Sequence, residues 1–334
     1  MSRISEESEE SETREERGKQ MPLTDNTRNR ISSFFTNPLW DQAPERIDYF
    51  GGIIGGEEPS RYSASPHLWN SLFRALDVAG YFTALDLPRA EQLPDVLAFL
   101  SELTECVDIT VTSPYKSDAW DAVQQLPRRV EVADRVRRLG CLNHVIPDHA
   151  GARLFVDNTD GQGMLRALQK RKPLSGARVL LVGAGGAAAS IGYELAAAGT
   201  GLTIANIIAE DAAKLQRLLE PLVQPPGRIR SGGWELVEQS AGNSDIIVSA
   251  ITVSTPLSAQ QIAGLPPDCL CADTRYGANG LFAAAAREAG RPSVDGREML
   301  FGQFELAAER VGELLVIEQQ KLSRALADIE REFT

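Results

Sequence analysis

From about residue 47 onward, the hydrophobic and polar positions follow two alternating rhythms. Short apolar runs at 47–54, 81–87 and 106–112 have the length and composition of buried strands. Between the first two, Leu68, Leu72, Phe73 and Leu76 recur on one helical face and predict a helix over 66–76. A second helix is predicted over 94–103. Strand, helix, strand at this spacing predicts a mainly parallel sheet covered by helices. Residues 157–169 read as the helix that leaves this unit. A second α/β unit then opens with a strand over 178–182 and continues with strands over 202–206, 246–250 and 269–273. Pro225, Pro226 and Gly227 mark a loop inside it. From about 299 to 333, Phe304, Val311, Leu315, Leu322, Leu326, Ile329 and Phe333 stand at helical spacing. This long terminal stretch, with room for one break, is expected to pack back on the first unit, its stripe serving core or dimer contact.

The first 45 residues break the rhythm. Residues 6–16 are Glu, Ser and Arg with one Thr and no apolar period, so they cannot bury enough surface to fold alone. A solvated, disordered acidic tail over 1–45 is expected, with Phe34, Phe35, Leu39 and Trp40 docking it to the body.

Composition narrows the classes. A chain of 334 residues is long enough for two domains, each with its own core. The net charge of -12 argues against nucleic acid as the main partner, because phosphate binding needs clustered Lys and Arg. No apolar run reaches bilayer-spanning length, and the N-terminus lacks the apolar core of a secretory signal, so a cytoplasmic protein with no membrane partner is expected. Cys106, Cys141, Cys269 and Cys271 are too scattered for a disulfide framework. Cys269 and Cys271 lie two apart in an apolar run and read as buried packing residues. The three histidines, His67, His144 and His149, show no ligand spacing, so no metal is expected.

One stretch carries a coenzyme signal. Val179-Leu180-Leu181-Val182 runs into Gly183-Ala184-Gly185-Gly186-Ala187-Ala188 and then into a helical pattern. Strand, Gly-x-Gly-x-x-Ala and helix in this order form a dinucleotide-binding fingerprint. Gly183 permits the tight turn, Gly185 lets the backbone approach a pyrophosphate, and Ala188 keeps the helix close to its strand. The helix start offers unpaired N–H groups and a positive dipole end. Selectivity between NAD and NADP is open. The second strand ends in Asn206-Ile207-Ile208-Ala209-Glu210-Asp211, with neither a ribose-binding acid at its tip nor Arg or Lys for a 2′-phosphate. Glu210 and Asp211 either repel such a phosphate or simply start the next helix, and the balance tilts towards NAD.

Over nearly everything from residue 47 to the C-terminus, the chain resembles the shikimate and quinate dehydrogenase family. Ser63-Ala64-Ser65-Pro66 resembles its Ser-x-Ser-Pro, and Val111-Thr112-Ser113-Pro114-Tyr115-Lys116 its Val-Thr-x-Pro-(Phe/Tyr)-Lys. Asn143 lies where the family has Asn after a small-residue turn. Asn158-Thr159-Asp160-Gly161, Gly183 to Ala187, and Met299-Leu300-Phe301-Gly302-Gln303 match further motifs in order. Each motif is short, but the ordered set is specific. The resemblance implies an N-terminal α/β substrate domain over 46–157, completed by 297–334, and a doubly wound Rossmann domain over 158–296. It implies reversible NAD(P)H-dependent reduction of 3-dehydroshikimate to shikimate, on the route to the aromatic amino acids; a monomer or homodimer is expected.

The expected roles follow the chemistry. Oxidising a secondary alcohol moves a hydride to the nicotinamide and a proton to a base within hydrogen-bond reach. Lys116 and Asp160 are implied as that catalytic pair, although Asp160 alone also suits a helix N-cap. Ser63 and Ser65 are expected to bind the substrate carboxylate, or else to cap a helix. Thr112, Asn143 and Gln303 offer neutral hydrogen bonds to ring hydroxyls, and Tyr276 corresponds to a family tyrosine near the substrate. Gly183, Ala184, Gly185, Gly186, Ala187 and Asn206 are expected to hold the dinucleotide.

Departures from the family matter too. Tyr276-Gly277-Ala278-Asn279-Gly280 lacks the family's Pro and Thr. Ile207 and Ile208 replace the polar residues of its NADP phosphate clamp, and Ala189 stands where many members carry Arg. Glu57 and Glu58 are unusual near a site for an anionic acid. These departures leave alternatives: a quinate or aminoshikimate-type dehydrogenase using NAD, or a non-catalytic ligand sensor derived from the fold. A folate dehydrogenase is disfavoured by the Ser-x-Ser and Asn-Thr-Asp-Gly segments.

Overall fold

The computed structural model describes residues 21–223, 228–251 and 254–334. A short helix α1 (Asp25–Ser32) precedes the first sheet. Then come β1 (Tyr49–Gly55), α2 (Ser65–Leu76), β2 (Gly80–Asp86), α3 (Leu93–Glu102), β3 (Cys106–Val111) and α4 (Lys116–Val123). This half ends with β4 (Arg129–Val132), α5 (Asp134–Leu139), β5 (His144–Asp148) and β6 (Arg153–Asp157). The strand order is β2-β1-β3-β5-β6-β4. β1 pairs in parallel with both β2 and β3, whereas β5 runs antiparallel to β3 and β6. The expected sheet is present, and its antiparallel section, absent from the sequence reading, sets Asn143 beside residues 157–160.

Helix α6 (Asp160–Gln169) leads into the second sheet. Its elements are β7 (Arg178–Val182), α7 (Gly186–Ala197), β8 (Gly201–Ala205), α8 (Ala209–Leu219), β9 (Ile229–Gly232), α9 (Glu235–Ala241) and β10 (Ile246–Ser249). They continue with α10 (Ala259–Ala263), β11 (Leu270–Asp273), α11 (Leu281–Glu288) and β12 (Ser293–Val294). The order β12-β11-β10-β7-β8-β9 is parallel throughout, with its switch point between β7 and β10. That is the doubly wound dinucleotide fold. Strand β11 begins one residue after Cys269, and Cys269 and Cys271 are both buried.

The terminal helical stretch does break once, into α12 (Gly296–Leu314) and α13 (Gln319–Phe333), around Val316 at φ +55°. Phe301, Phe304, Val311, Leu322, Leu326 and Ile329 pack with Leu68, Trp69, Leu72 and Phe73 of α2 on the first sheet. The stripe is therefore core. Helices α6 and α12 cross closely at two glycines: a Cβ on Gly302 would lie 2.8 Å from the Gly163 carbonyl oxygen. Larger residues there would force the helices apart.

The segment over 21–45 corrects the expectation of a disordered tail. Thr24 caps α1 by accepting from the Thr27 N–H, and Leu23, Ile31, Phe35 and Leu39 are buried with Ile47, Phe50 and Leu85. Asn37 donates to Ala84 O and accepts from Asp86 N on the outer edge of β2 (3.0 and 2.9 Å). Four apolar anchors spread over seventeen residues show no local period, yet together they cover one face and one strand edge. Residues 6–16, and with them that part of the expectation, lie outside the described residues.

Candidate active site

The site assembles where β3 and β6 end and β5 begins. After β3, the chain turns through Thr112 to Tyr115, whose phenol donates to Leu87 O at 2.9 Å and fixes the start of α4. Lys116 is the first residue of that helix, and its Nζ donates to Asp160 Oδ2 at 2.5 Å. The lysine side chain is 30% exposed and the aspartate 7%, so the pair opens to solvent from the lysine side only. Asp160 is the first residue of α6 and not its cap; Thr159 holds that position without a side-chain cap bond. The carboxylate is committed to Lys116 and to Asn143, whose Nδ2 donates to Asp160 Oδ1 at 3.1 Å.

Asn143, expected to contact a ring hydroxyl, has its side chain bonded to the turn that carries Asp160. It is 2% exposed. Its Nδ2 also donates to Thr159 Oγ1 (3.1 Å), and its carbonyl oxygen accepts from the Thr159 N–H (2.8 Å). Both amide hydrogens are spent on the turn that carries Asp160. Asn158, the first residue of the Asn-Thr-Asp-Gly motif, holds the same turn from inside. Its Oδ1 accepts from the Asp160 N–H and from Ser190 Oγ, while its Nδ2 donates to Cys141 Sγ. Burial pushes the Cys141 thiol pKa up; Asp160 adds to this and Lys116 opposes it.

Two of the other expected residues lie beside the elements that carry this pair. Thr112 lies in the turn before Lys116, and Gln303 packs on Gly163, one helical turn beyond Asp160. Ser63 Oγ accepts from the Ser65 N–H at 3.2 Å, which gives Ser63 part of a capping role at the start of α2. Ser63 also borders a recess of about 770 Å³ shared with Ser60, His67 and the 37–44 segment. Tyr276 borders a cavity of about 930 Å³ with Tyr62, Arg297 and Phe333. Burial raises the Tyr276 phenol pKa and Arg297 opposes it. Tyr62 escaped the sequence reading, since a lone exposed tyrosine carries no signal; burial raises its pKa as well, against a hydrogen bond with Thr112. Glu58 pairs with Arg61, turning that carboxylate to its own loop.

A buried His144 stands beside Asn143. Its Nδ1 lies 2.8 Å from Asp108 Oδ1, and Thr110 Oγ1 donates to Asp108 Oδ2 at 2.6 Å. Burial lowers the His144 pKa, but the charge and hydrogen bond of Asp108, then Asp157 and Asp160, outweigh it and leave it raised.

The dinucleotide fingerprint lies at the switch point. Gly183 has φ +117°, and a Cβ there would stand 2.6 Å from the Ala250 carbonyl oxygen, so only glycine fits. Among the described residues, nothing lies within 4 Å of where Cβ atoms on Gly185 and Gly186 would be. This leaves an open cradle at the N-terminus of α7, as a pyrophosphate needs. Ala184 and Ala187 flank it half-buried, and Ala188 is buried against the strand. Asn206 Nδ2 donates to Ile208 O, and Ile207 and Ile208 are 74% and 59% exposed. Glu210 and Asp211 belong to the first turn of α8 and pair with Arg217 and Lys214. Among the described residues, no group of three or more His, Cys, Asp or Glu is placed to hold a metal ion, and no helix is long and apolar enough to cross a membrane.

No protein-family model matches the chain. It is 30% identical over 263 residues to shikimate dehydrogenase (NADP(+)) of Carboxydothermus hydrogenoformans, covering 78% of this chain and 90% of that protein. Among solved structures, a shikimate dehydrogenase in complex with NADP+ is similar with a TM-score of 0.70 at 22% identity, covering 89% of this chain and 100% of the other. Shikimate 5-dehydrogenase from Listeria monocytogenes, in complex with shikimate and NAD, is similar with a TM-score of 0.69 at 21% identity, over 90% and 99%. At these identities the two structures bear on the fold alone.

Proposed function

The chain belongs to the shikimate dehydrogenase family and is an NAD(P)-dependent oxidoreductase acting on a secondary alcohol; within that class, we propose that it interconverts 3-dehydroshikimate and shikimate with Lys116 and Asp160 as its catalytic pair. The observation that carries this reading is the 2.5 Å contact between Lys116 and a buried Asp160 whose second oxygen is held by Asn143. A nicotinamide dinucleotide supplies or accepts the hydride. In the reductive direction, Lys116 donates a hydrogen bond to the ring ketone and gives it a proton as the carbon takes the hydride; in oxidation it receives the hydroxyl proton. Asp160 orients the lysine, and Asn143 orients Asp160. Ser63 and Ser65 are assigned to the substrate carboxylate, with Thr112, Gln303 and Tyr276 bordering the ring.

For the coenzyme, Gly183, Ala184, Gly185, Gly186 and Ala187 are assigned to the pyrophosphate. We assign NAD over NADP, unlike the curated relative named above. The exposed Ile207 and Ile208 stand at the tip of β8 where a 2′-phosphate would need cationic partners. Asn206 is left to the ribose once its amide leaves Ile208 O.

The test follows reduced nicotinamide by absorbance, crossing shikimate and quinate with NAD and NADP. Reduction of NAD by shikimate is the expected result. Turnover of quinate alone would move the substrate to that acid. Silence in all combinations, from folded protein that binds dinucleotide, would reject the assignment.

A further inference from the structure

Helix α7 touches two things that a dehydrogenase must coordinate. Its N-terminus forms the open cradle at Gly185 and Gly186. One and two turns further along, about 6 and 12 Å by helical rise, Ser190 and Glu194 face the turn that bears Asp160. Ser190 Oγ donates to Asn158 Oδ1 at 3.2 Å, the same oxygen that accepts from the Asp160 N–H at 3.3 Å. A Cβ on Gly161, the residue after Asp160, would lie 2.0 Å from Ser190 O and 2.8 Å from Glu194 Cγ. The helix therefore rests directly on that backbone.

Glu194 makes a second hold through Arg135 of α5. Arg135 Nη1 reaches Glu194 Oε1 at 3.4 Å, while its Nε and Nη2 clasp Asp157 at 2.6 and 2.9 Å. Asp157 Oδ1 also accepts from the Asn158 N–H at 2.6 Å, and Asp157 O accepts from the Asn143 N–H at 2.9 Å. Burial works against both partners: the Glu194 side chain is 10% exposed and that of Arg135 19%. A charged group so enclosed is costly to keep unless its geometry is held.

We propose that α7 links the two halves of the reaction, with Ser190, Glu194 and Arg135 as positioning residues through which dinucleotide binding fixes the turn of residues 157–161 and hence Asp160. The proposal rests on the reading that α7 holds the dinucleotide and that Asp160 serves the chemistry. A helix of this length moves as a rigid rod, so a ligand that settles its N-terminus restrains whatever its side chains grip. Removing Ser190 and Glu194 would leave the cradle whole while cutting that restraint.

The test is hydrogen exchange of a peptide spanning 157–164, with and without saturating NAD, in the wild type and in Ser190→Ala/Glu194→Gln. Exchange reports local opening. NAD is expected to slow it in the wild type by about fivefold or more, and not in the variant, whose Kd for NAD stays within about twofold. Should the double variant fold poorly, Ser190→Ala alone, which removes one hydroxyl, carries the same test. In turnover, kcat is expected to fall about tenfold with KM nearly unchanged, and Arg135→Lys, which keeps the charge but not the bidentate clasp, to fall in between. Equal slowing in wild type and variant, or none in the wild type, would overturn the proposal. Slowing that the variant loses, from protein that oxidises neither shikimate nor quinate, would uphold the link and reject the substrate.

Discussion

Truncating Asn143 to alanine separates two uses of that residue. If its amide binds a substrate hydroxyl, Asn143→Ala should raise KM and leave stability nearly alone. In the structure the amide is bonded to the turn that bears Asp160. The substitution leaves the buried Thr159 N–H without its 2.8 Å acceptor, and removes one charge-assisted donor from Asp160 Oδ1. An unsatisfied buried donor costs about 1–3 kcal/mol, and a hydrogen bond to a charged group contributes about 1.5–3 kcal/mol. Water entering the space left by the side chain offsets part of this, so a loss of about 2–4 kcal/mol is expected. With the Asp160 carboxylate bonded to Lys116 alone, a misplacement near 1 Å lowers kcat by about a hundredfold, while KM stays within about threefold. Denaturant unfolding can follow tryptophan fluorescence, since Trp40, Trp69 and Trp120 all lie in the first half and only Trp234 in the second. A KM increase at normal kcat, with an unfolding free energy within about 0.5 kcal/mol of wild type, would refute this account and return Asn143 to the substrate.

Lys116→Ala should lower kcat by about 10²–10⁴-fold, while calorimetry still detects substrate binding; undiminished turnover would remove Lys116 from the mechanism. Ile207→Arg should raise the ratio of kcat/KM with NADP to that with NAD, and an unchanged ratio would place the β8 tip away from the ribose. The folded His144 pKa lies above its unfolded value of about 6.5. Its pairing with Asp108 therefore contributes stability that is full below that value and is lost as pH rises through the folded pKa. The Tm advantage of wild type over His144→Gln should accordingly shrink with rising pH, and a constant difference would contradict it.

What could be read along the chain was whatever is written in contiguous residues. The apolar runs predicted β1 to β3 and most of the second sheet because a buried parallel strand needs no partner to show its composition. The Gly183 motif was legible for a similar reason: tight turn, close backbone approach and helix start are all local demands. Lys116 and Asp160 stood out through motif resemblance, although their meeting across 44 positions is a matter of tertiary structure. Three things were decided only by folding. Residues 21–45 became ordered because Leu23, Ile31, Phe35 and Leu39 found one surface, and Asn37 a strand edge, in distant chain. Asn143 gained its bonds to Thr159 and Asp160 because β5 runs antiparallel to β6 and delivers it to that turn. Ser190, Glu194 and Arg135 carried no signal, since a serine and a glutamate in one helix and an arginine in another acquire their task only where those helices meet. Side-chain identity and period are properties of the sequence. Which donor is left for a ligand depends on what the fold has already taken.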